Sequence, residues 1–323
     1  MLQKLFMSKN NILIKPFSDE FLKPAAELCR MSMEYDIMPD FLLREKTFGD
    51  PDYNIALTQL AFNEANEQPV GFIQGIIRNI STGKRHGKKI KMKKIGYIKL
   101  LCVHPDERRK GIASQLYRKT EKKLILSGVK SIRIYESIPN YFMPGVDPMY
   151  TEAVCFLERN GFKKFGDTSN LSADLVNKNF STDEEERKLL KKNIIFKRAE
   201  PDEKNEVLIW LEKKFPEWIP EVSESFNNNP VSLFIAKANE DVQAFSAYEV
   251  NNKGTGWFGP MGTGKSFQGL GIGGILLKKC LLAMKEMGFK KAIIPWVGPI
   301  PFYMHYAGSK VERVFWRYEK ILE

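Results

Sequence analysis

The alternation of apolar and polar positions divides the chain into short strands and amphipathic helices, and the division recurs. NILIKPF, from Asn11, alternates as a half-buried strand does, and NIIFKRA, from Asn193, opens in the same way. Each is followed by an acid-rich stretch with helical spacing, FLKPAAELCRMSMEY in the first case and DEKNEVLIWLEKKF in the second. Strand pairs come next, NIALTQLAFN with VGFIQGIIRN and then VSLFIAKAN with VQAFSAYEVN, bounded by turn formers. The correspondence is closest between residues 100–136 and 260–296, where no gap is needed. Gly111 then falls on Gly271, Gly128 on Gly288, and SIRIYE on KAIIPW. Both segments run strand end, turn, helix, glycine, strand, with the glycine as the expected left-handed helix terminator. Such self-similarity predicts two copies of one α/β unit. We place the first domain over residues 1–180, the second over 193–323, and a connection over 181–192, inside the acidic-then-basic NKNFSTDEEERKLLKKN.

Composition narrows the class. A chain of 323 residues can hold two ordinary domains, each with its own core. Hydrophobic content of 43% beside 28% charged residues is that of a folded chain. No run approaches the roughly 18 uncharged apolar residues that span a bilayer, so no membrane partner is expected. The opening MLQKLFMSKNN is too short and too soon polar for a secretory signal, and Met7 could serve as an alternative start. Cys29, Cys102, Cys155 and Cys280 are scattered without a C-x-x-C pair, three of them in apolar surroundings. They read as thiols of a reducing compartment, which places the protein in the cytoplasm. The three histidines (His86, His104, His305) stand far apart, so no metal is expected. The net charge of +11 raises the question of nucleic acid. Its densest piece, GKRHGKKIKMKK from Gly83, carries no aromatic residue for base stacking and reads as a solvated hairpin tip. Basic charge also draws in small polyanionic ligands. A monomer and a homodimer are both compatible with this composition.

Shared by the two copies is the loop [QR]-x-x-G-x-[GA]: Arg108, Gly111 and Ala113, then Gln268, Gly271 and Gly273. It joins a strand to a helix, so unpaired N–H groups and the positive end of the helix dipole face whatever anion sits there. Small residues let that anion reach the backbone. A competing signature lies just upstream: GPMGTGKS, from Gly259, satisfies G-x-x-x-x-G-K-[ST]. A working nucleotide loop needs a helix beginning at its Lys-Ser, yet FQGLGIGG follows, a poor first helical turn. The later strand KKAIIPWVG carries no Asp for magnesium, and the aligned copy LLCVHPDERRKG lacks the signature altogether. We read the match as coincidence, with residues 259–263 as strand and 264–266 as turn.

VHPDERRKGIA, with the helix and SIRIYE after it, resembles the central motif of the GNAT superfamily of acetyl-CoA-dependent N-acyltransferases. AVCFLERNGF resembles that family's following helix–turn–strand segment, as does FYMHYAGSKVERVFW in the second half. The resemblance covers most of both halves, and the helical entry regions least. It implies two tandem domains, each a central, mostly antiparallel sheet flanked by helices. It also implies acetyl-CoA as co-substrate and a small amine as acceptor. Carried onto this chain, the acetyl-CoA contacts of the first copy would be Cys102, Val103, Arg108, Arg109, Lys110, Gly111, Ile112 and Ala113. Those of the second would be Met261, Thr263, Gln268, Gly269, Leu270, Gly271, Ile272 and Gly273.

Such chemistry requires an amine that has lost a proton, usually to a carboxylate, and backbone donors for the developing oxyanion. A tyrosine on the later helix often protonates the departing thiolate in this family. The first copy has Leu157 where that tyrosine would stand and Lys99 where a glutamate base often stands. Tyr141, Asp147 and Tyr150, within NYFMPGVDPMY, are candidate substitutes. In the second copy Tyr303 is the candidate general acid; Gly259 occupies the glutamate position, which leaves Glu249 as candidate base. The expected activity is acetyl transfer to a primary amine, an amino sugar being the first candidate through the FYMHYAGSKVERVFW ending. Val297 and Pro301 offer no carboxylate for such a substrate. A non-catalytic acyl-CoA-binding sensor or scaffold is the alternative, and which half turns over stays open.

Overall fold

The computed structural model describes residues 12–64, 68–82 and 91–322. The opening MLQKLFMSKNN and residues 83–90 of the basic stretch lie outside the described residues. One compact unit holds the chain up to Val146, Tyr150–Phe165 and the C-terminal residues from Arg317. The other holds Asp147–Met149 and Gly166–Trp316. No helix among the described residues is long and apolar enough to cross a membrane.

In the first unit the sheet runs β1 (Ile12–Pro16), β2 (Thr58–Asn63), β3 (Gln68–Thr82) and β4 (Lys91–Val103), each antiparallel to the last. β4 then pairs in parallel with β5 (Ser131–Ile134). Beyond β5 lies the end of the last strand of the chain, β12 (Lys310–Ile321), antiparallel with Glu319 opposite Arg133. The helices are α1 (Leu22–Ser32), α2 (Asp40–Lys46), α3 (Ile112–Leu126) and α4 (Thr151–Arg159). α3 places Ile112, Leu116, Thr120 and Leu124 along one row at four-residue spacing, and the sheet answers with glycines. A Cβ on Gly71 would stand 2.8 Å from Ile112, one on Gly75 2.7 Å from Thr120, and one on Gly96 3.1 Å from Leu124. The helix lies this close because those side chains are missing.

The second unit repeats the plan. β7 (Ile194–Arg198), β8 (Leu233–Ala238), β9 (Asp241–Tyr248) and β10 (Phe258–Thr263) form an antiparallel sheet in the order β10-β9-β8-β7. β11 (Lys291–Ile294) is antiparallel to β6 (Lys163–Asp174) and meets the strand before β10 through one parallel bridge, Trp257 to Ile293. α5 (Asp183–Leu190) falls in the expected connection, followed by α6 (Lys204–Lys214), α7 (Ile219–Ser225), α8 (Ile272–Glu286) and α9 (Ile300–Ala307). Each unit therefore finishes its sheet with a strand from the other half of the sequence: β12 for the first, β6 for the second.

Charge is buried at one place in the first unit. Register slips between Gly75–Ile98 and Gln74–Leu100, so Lys99 is an extra residue, a β-bulge. Its buried ammonium donates to Asp50 and to the Lys46 carbonyl at 2.6 Å. Arg78 grips the same carboxylate with two nitrogens, each at 2.7 Å, and reaches the Ser137 carbonyl at 3.1 Å. Burial drives the Lys99 ammonium down to about 7, with Asp50 pulling the other way. Burial also opposes the Asp50 carboxylate, but Lys99 and Arg78 outweigh it and hold its pKa below the usual value.

Removing one partner of a buried pair leaves an uncompensated charge, which costs about 3–5 kcal/mol. Asp50→Ala is therefore expected to lose that much in urea unfolding, whereas Lys99→Met, which leaves Asp50 paired with Arg78, is expected to lose little. The folded chain binds the Lys99 proton less readily than the unfolded chain, for which lysine titrates near 10.4. Wild type should thus gain stability over Lys99→Met as pH rises from about 7 to 9. A difference between the two that is flat across that range refutes the assignment.

Candidate functional site

The parallel pairing of β4 with β5 runs from Gly96–Ile132 to Ile98–Ile134 and stops. Tyr135 still donates its N–H to the Ile98 carbonyl at 3.0 Å, but with φ of 63° it turns the chain away. β4 continues beside β3, with Leu101 opposite Ile73 and Val103 opposite Gly71. Among the described residues no strand pairs with the other edge of Leu101–Val103. That edge faces a cavity of about 400 Å³. Its walls are Tyr135, the first turn of α3, α4 from Tyr150 to Arg159, and Ser32 with Met33 at the end of α1.

At one end of the cavity the loop before α3 presents bare backbone. Arg109 and Gly111 both take left-handed φ values, 63° and 83°, and Gly111 caps the helix without a side-chain hydrogen bond. Successive N–H groups held this way form an anion-binding concavity at the positive end of the helix. Arg109 and Arg159 are exposed at the cavity, and Arg108 donates to the Ser32 carbonyl at 3.0 Å. Two acids, Glu107 and Glu152, line the same space.

Tyr150 also lines the cavity. Its hydroxyl donates to Asp36 at 2.6 Å and accepts from the Tyr35 N–H at 3.0 Å. Burial first, and then the Asp36 carboxylate, push the phenol pKa up, so the group keeps its proton across the physiological range. Of the sequence candidates, Cys102, Val103, Arg108, Arg109, Gly111, Ile112 and Ala113 are brought together here, with Leu157 on the α4 side. Lys110 instead pairs with Glu107 at 3.0 Å. Tyr141 is buried and lies outside the cavity wall. Asp147 belongs to the second unit, where its carboxylate accepts from Arg313 at 2.7 Å and from the Met149 N–H at 2.9 Å. Asp36 and Tyr135 were missed; neither stands in a recognisable local pattern.

The second unit keeps the loop and alters its surroundings. Gly269 and Gly271 have φ of 82° and 83°, matching Arg109 and Gly111. Gln268 donates to the Thr263 carbonyl at 3.3 Å, as Arg108 does to that of Val103 at 3.4 Å. Met261 and Thr263 come within ordinary contact of Gly273. Leu270 is partly exposed between the two left-handed glycines, and Ile272 is buried in the core. Phe302 also touches Gly273, and a Cβ on Gly274 would collide with the Tyr306 ring. Tyr303 packs edge-on against Phe302, with ring centres 5.0 Å apart, and burial raises its pKa to about 12. Glu249 is buried, with its carboxylate accepting from the Trp257 N–H at 2.7 Å and from that of Gly254. It thereby closes the turn before β10. GPMGTGKS lies along β10 and the single turn of Lys265–Phe267, and α8 begins only at Ile272. No group of three or more metal-ligating side chains occurs among the described residues.

Comparison with known proteins follows the same division. The model of the Acetyltransferase (GNAT) family matches residues 22–141 and 195–303. No curated protein sequence matches the chain. Among solved structures, the glucosamine N-acetyltransferase region of a fungal multi-domain GH3 beta-N-acetylglucosaminidase superposes with a TM-score of 0.78 at 19% identity. That match covers 96% of this chain and 38% of the other, so this chain spans well under half of that protein. A GCN5-related N-acetyltransferase from Sphaerobacter thermophilus gives 0.66 at 14% identity, covering 96% and 95% of the two chains. A tandem GNAT protein from the clavulanic acid biosynthesis pathway gives 0.66 at 13%, covering 96% and 98%. At these identities the likeness is one of fold.

Both loops depend on backbone that a Cβ disfavours. Gly111→Ala meets no atom within 4 Å and is expected to cost only the left-handed strain, about 1–2 kcal/mol. Gly274→Ala must displace the Tyr306 ring and is expected to cost about 3 kcal/mol. Urea unfolding of the two variants checks the order.

Proposed function

Because the chain belongs to the acetyltransferase (GNAT) family, we propose that it acetylates a primary amine from acetyl-CoA, with the reaction in the cavity of the first unit. The observation that carries this reading is the unpaired edge of Leu101–Val103 ending at the left-handed loop of Arg109 and Gly111. A strand edge can pair with the amides of a pantetheine arm, and the loop with its pyrophosphate. Arg109 and Arg159 add positive charge for the remaining phosphate.

Bound there, acetyl-CoA supplies a thioester carbonyl as the electrophile. The chain must then take a proton from the amine and return one to sulfur. Tyr150 and Asp36 form a relay suited to both. One lone pair of the Tyr150 oxygen accepts from the Tyr35 N–H, which leaves the other for an amine N–H. As the phenol takes that proton, it passes its own to Asp36. When the carbon–sulfur bond breaks, the same path runs backwards and delivers the proton to the thiolate. The relay ends as it began, and the products are an amide and a thiol.

An amino sugar is the acceptor class suggested by the name of one similar structure, and Glu107 and Glu152 offer charge for its ammonium. A second reading puts the chemistry in the second unit. It is favoured by Tyr303, a phenol with a pKa raised to about 12 and no hydrogen bond among the described residues.

The test is thiol release from acetyl-CoA over a panel of amines. Tyr150→Phe is expected to lower kcat about a hundredfold while acetyl-CoA binding is kept. A comparable loss in Tyr303→Phe with none in Tyr150→Phe moves the reaction to the second unit. Acetyl-CoA binding without turnover on any amine supports a sensor or scaffold instead.

A further inference from the structure

Two of the four cysteines meet. Cys29 on α1 and Cys102 on β4 bring their sulfurs to 3.7 Å, although 73 positions separate them in sequence. Cys29 is 1% exposed and Cys102 8%, and Cys102 lines the cavity beside β4. The other two thiols are solitary. Cys280 is buried against Ser246, and Cys155 is exposed on α4.

We propose that Cys29 and Cys102 form an oxidisable dithiol in the cavity wall, which a small hydroperoxide converts to a disulfide and which bound acyl-CoA protects. The protection rests on the reading that acyl-CoA occupies this cavity; formation of the disulfide does not. The order of events follows from access. Cys102 lies at the cavity, so its sulfur attacks the peroxide oxygen, an alcohol (or water) leaves, and Cys102 becomes a sulfenic acid. The Cys29 sulfur then attacks that of Cys102, and water departs as the S–S bond forms. Two thiols are oxidised by two electrons and the peroxide is reduced by two. The hydrogen bond to Cys102, and then burial, hold the Cys29 thiol well above its ordinary pKa, so it waits protonated as the resolving partner. The sulfurs must approach from 3.7 Å to about 2.05 Å. The bond would tie α1 to the strand whose free edge lines the cavity.

The experiment exposes the full chain to hydrogen peroxide, with and without acetyl-CoA, and follows intact mass and mapped peptides. Expected are a loss of about 2 Da, a peptide linking Cys29 to Cys102, and reversal by dithiothreitol. In Cys29→Ser, Cys102 should stop at a sulfenic acid that dimedone traps. With acetyl-CoA at 100 times its Kd, only about one cavity in a hundred is free, so linkage should slow at least about tenfold. Oxidation confined to Cys155, or a sulfonic acid at Cys102 without linkage, overturns the dithiol. Equal rates with and without acetyl-CoA, when calorimetry shows it bound, overturn the protection. Calorimetry that shows no binding refutes the acyl-CoA reading, and the linked peptide still decides the dithiol.

Discussion

Asp50 draws together a bulged strand and two loops, and the cavity of the first unit takes its form from that convergence. β4 carries one residue too many at Lys99, and its ammonium is held by Asp50 and the Lys46 carbonyl. Past the bulge β4 follows β3 alone, so β5 loses its neighbour just where Tyr135 turns away. Arg78, on the same carboxylate, reaches the Ser137 carbonyl, and the Asn140 amide donates to the Glu45 carbonyl at 2.8 Å. The segment between β5 and α4 is therefore anchored at its start by the cluster that supports the bulge. Buried charge of this kind stabilises little by itself, since desolvation offsets most of the attraction. Its effect is on geometry: satisfied polar groups accept one arrangement where apolar packing would accept several.

The second unit parts its strands without buried charge. Register shifts between Phe258 and Met261, and a single bridge, Trp257 to Ile293, stands where β4 and β5 have a ladder. What the two copies keep is backbone: paired left-handed residues before the helix, and a side chain at 108 or 268 donating to the strand carbonyl five residues back. What they do not keep is the lining. The first copy surrounds its loop with a cavity, and the second packs Phe302, Tyr303 and Tyr306 beside it. Backbone geometry specifies a place for an anion, whereas side chains decide whether the rest of a ligand can follow.

Much of this was legible in the sequence because the relevant signals are local. Glycine at 111 and 271 marks left-handed caps, and the ungapped alignment places α3 against α8 and β5 against β11 at the same offset. The coincidence of GPMGTGKS with a nucleotide loop could be judged from the glycines after it, and α8 does begin beyond them. Groups that depend on distant partners were not legible. Lys99 looks like a missing base until Asp50, 49 residues away, is beside it. Tyr150 acquires its partner Asp36 from 114 residues upstream. The strands that complete each sheet were readable as strands, but strand propensity does not name a neighbour. Glu249 differs: its partners lie in the turn NNKGTGW just after it, which could have marked it as a turn-closing carboxylate.

Glycine content and space for a ligand run in opposite directions here. α8 opens with Gly273 and Gly274 where α3 has Ala113 and Ser114, so the second copy matches a phosphate-binding pattern better. Yet glycine removes a side chain from both sides of the argument: it admits a ligand and equally admits a neighbouring ring. Gly274 receives Tyr306, and Gly273 meets Phe302, Met261 and Thr263 at ordinary contact distance. An aromatic ring seated on a helix buries a large apolar area without the loss of freedom that binding a separate molecule entails. In α3 the hydroxymethyl of Ser114 and the methyl of Ala113 face the cavity, and the aromatic side chains that join them, Tyr150 and Phe156, stand back far enough to leave about 400 Å³. The copy with fewer glycines is thus the one with room, because its helix surface already carries the small side chains that keep rings at a distance.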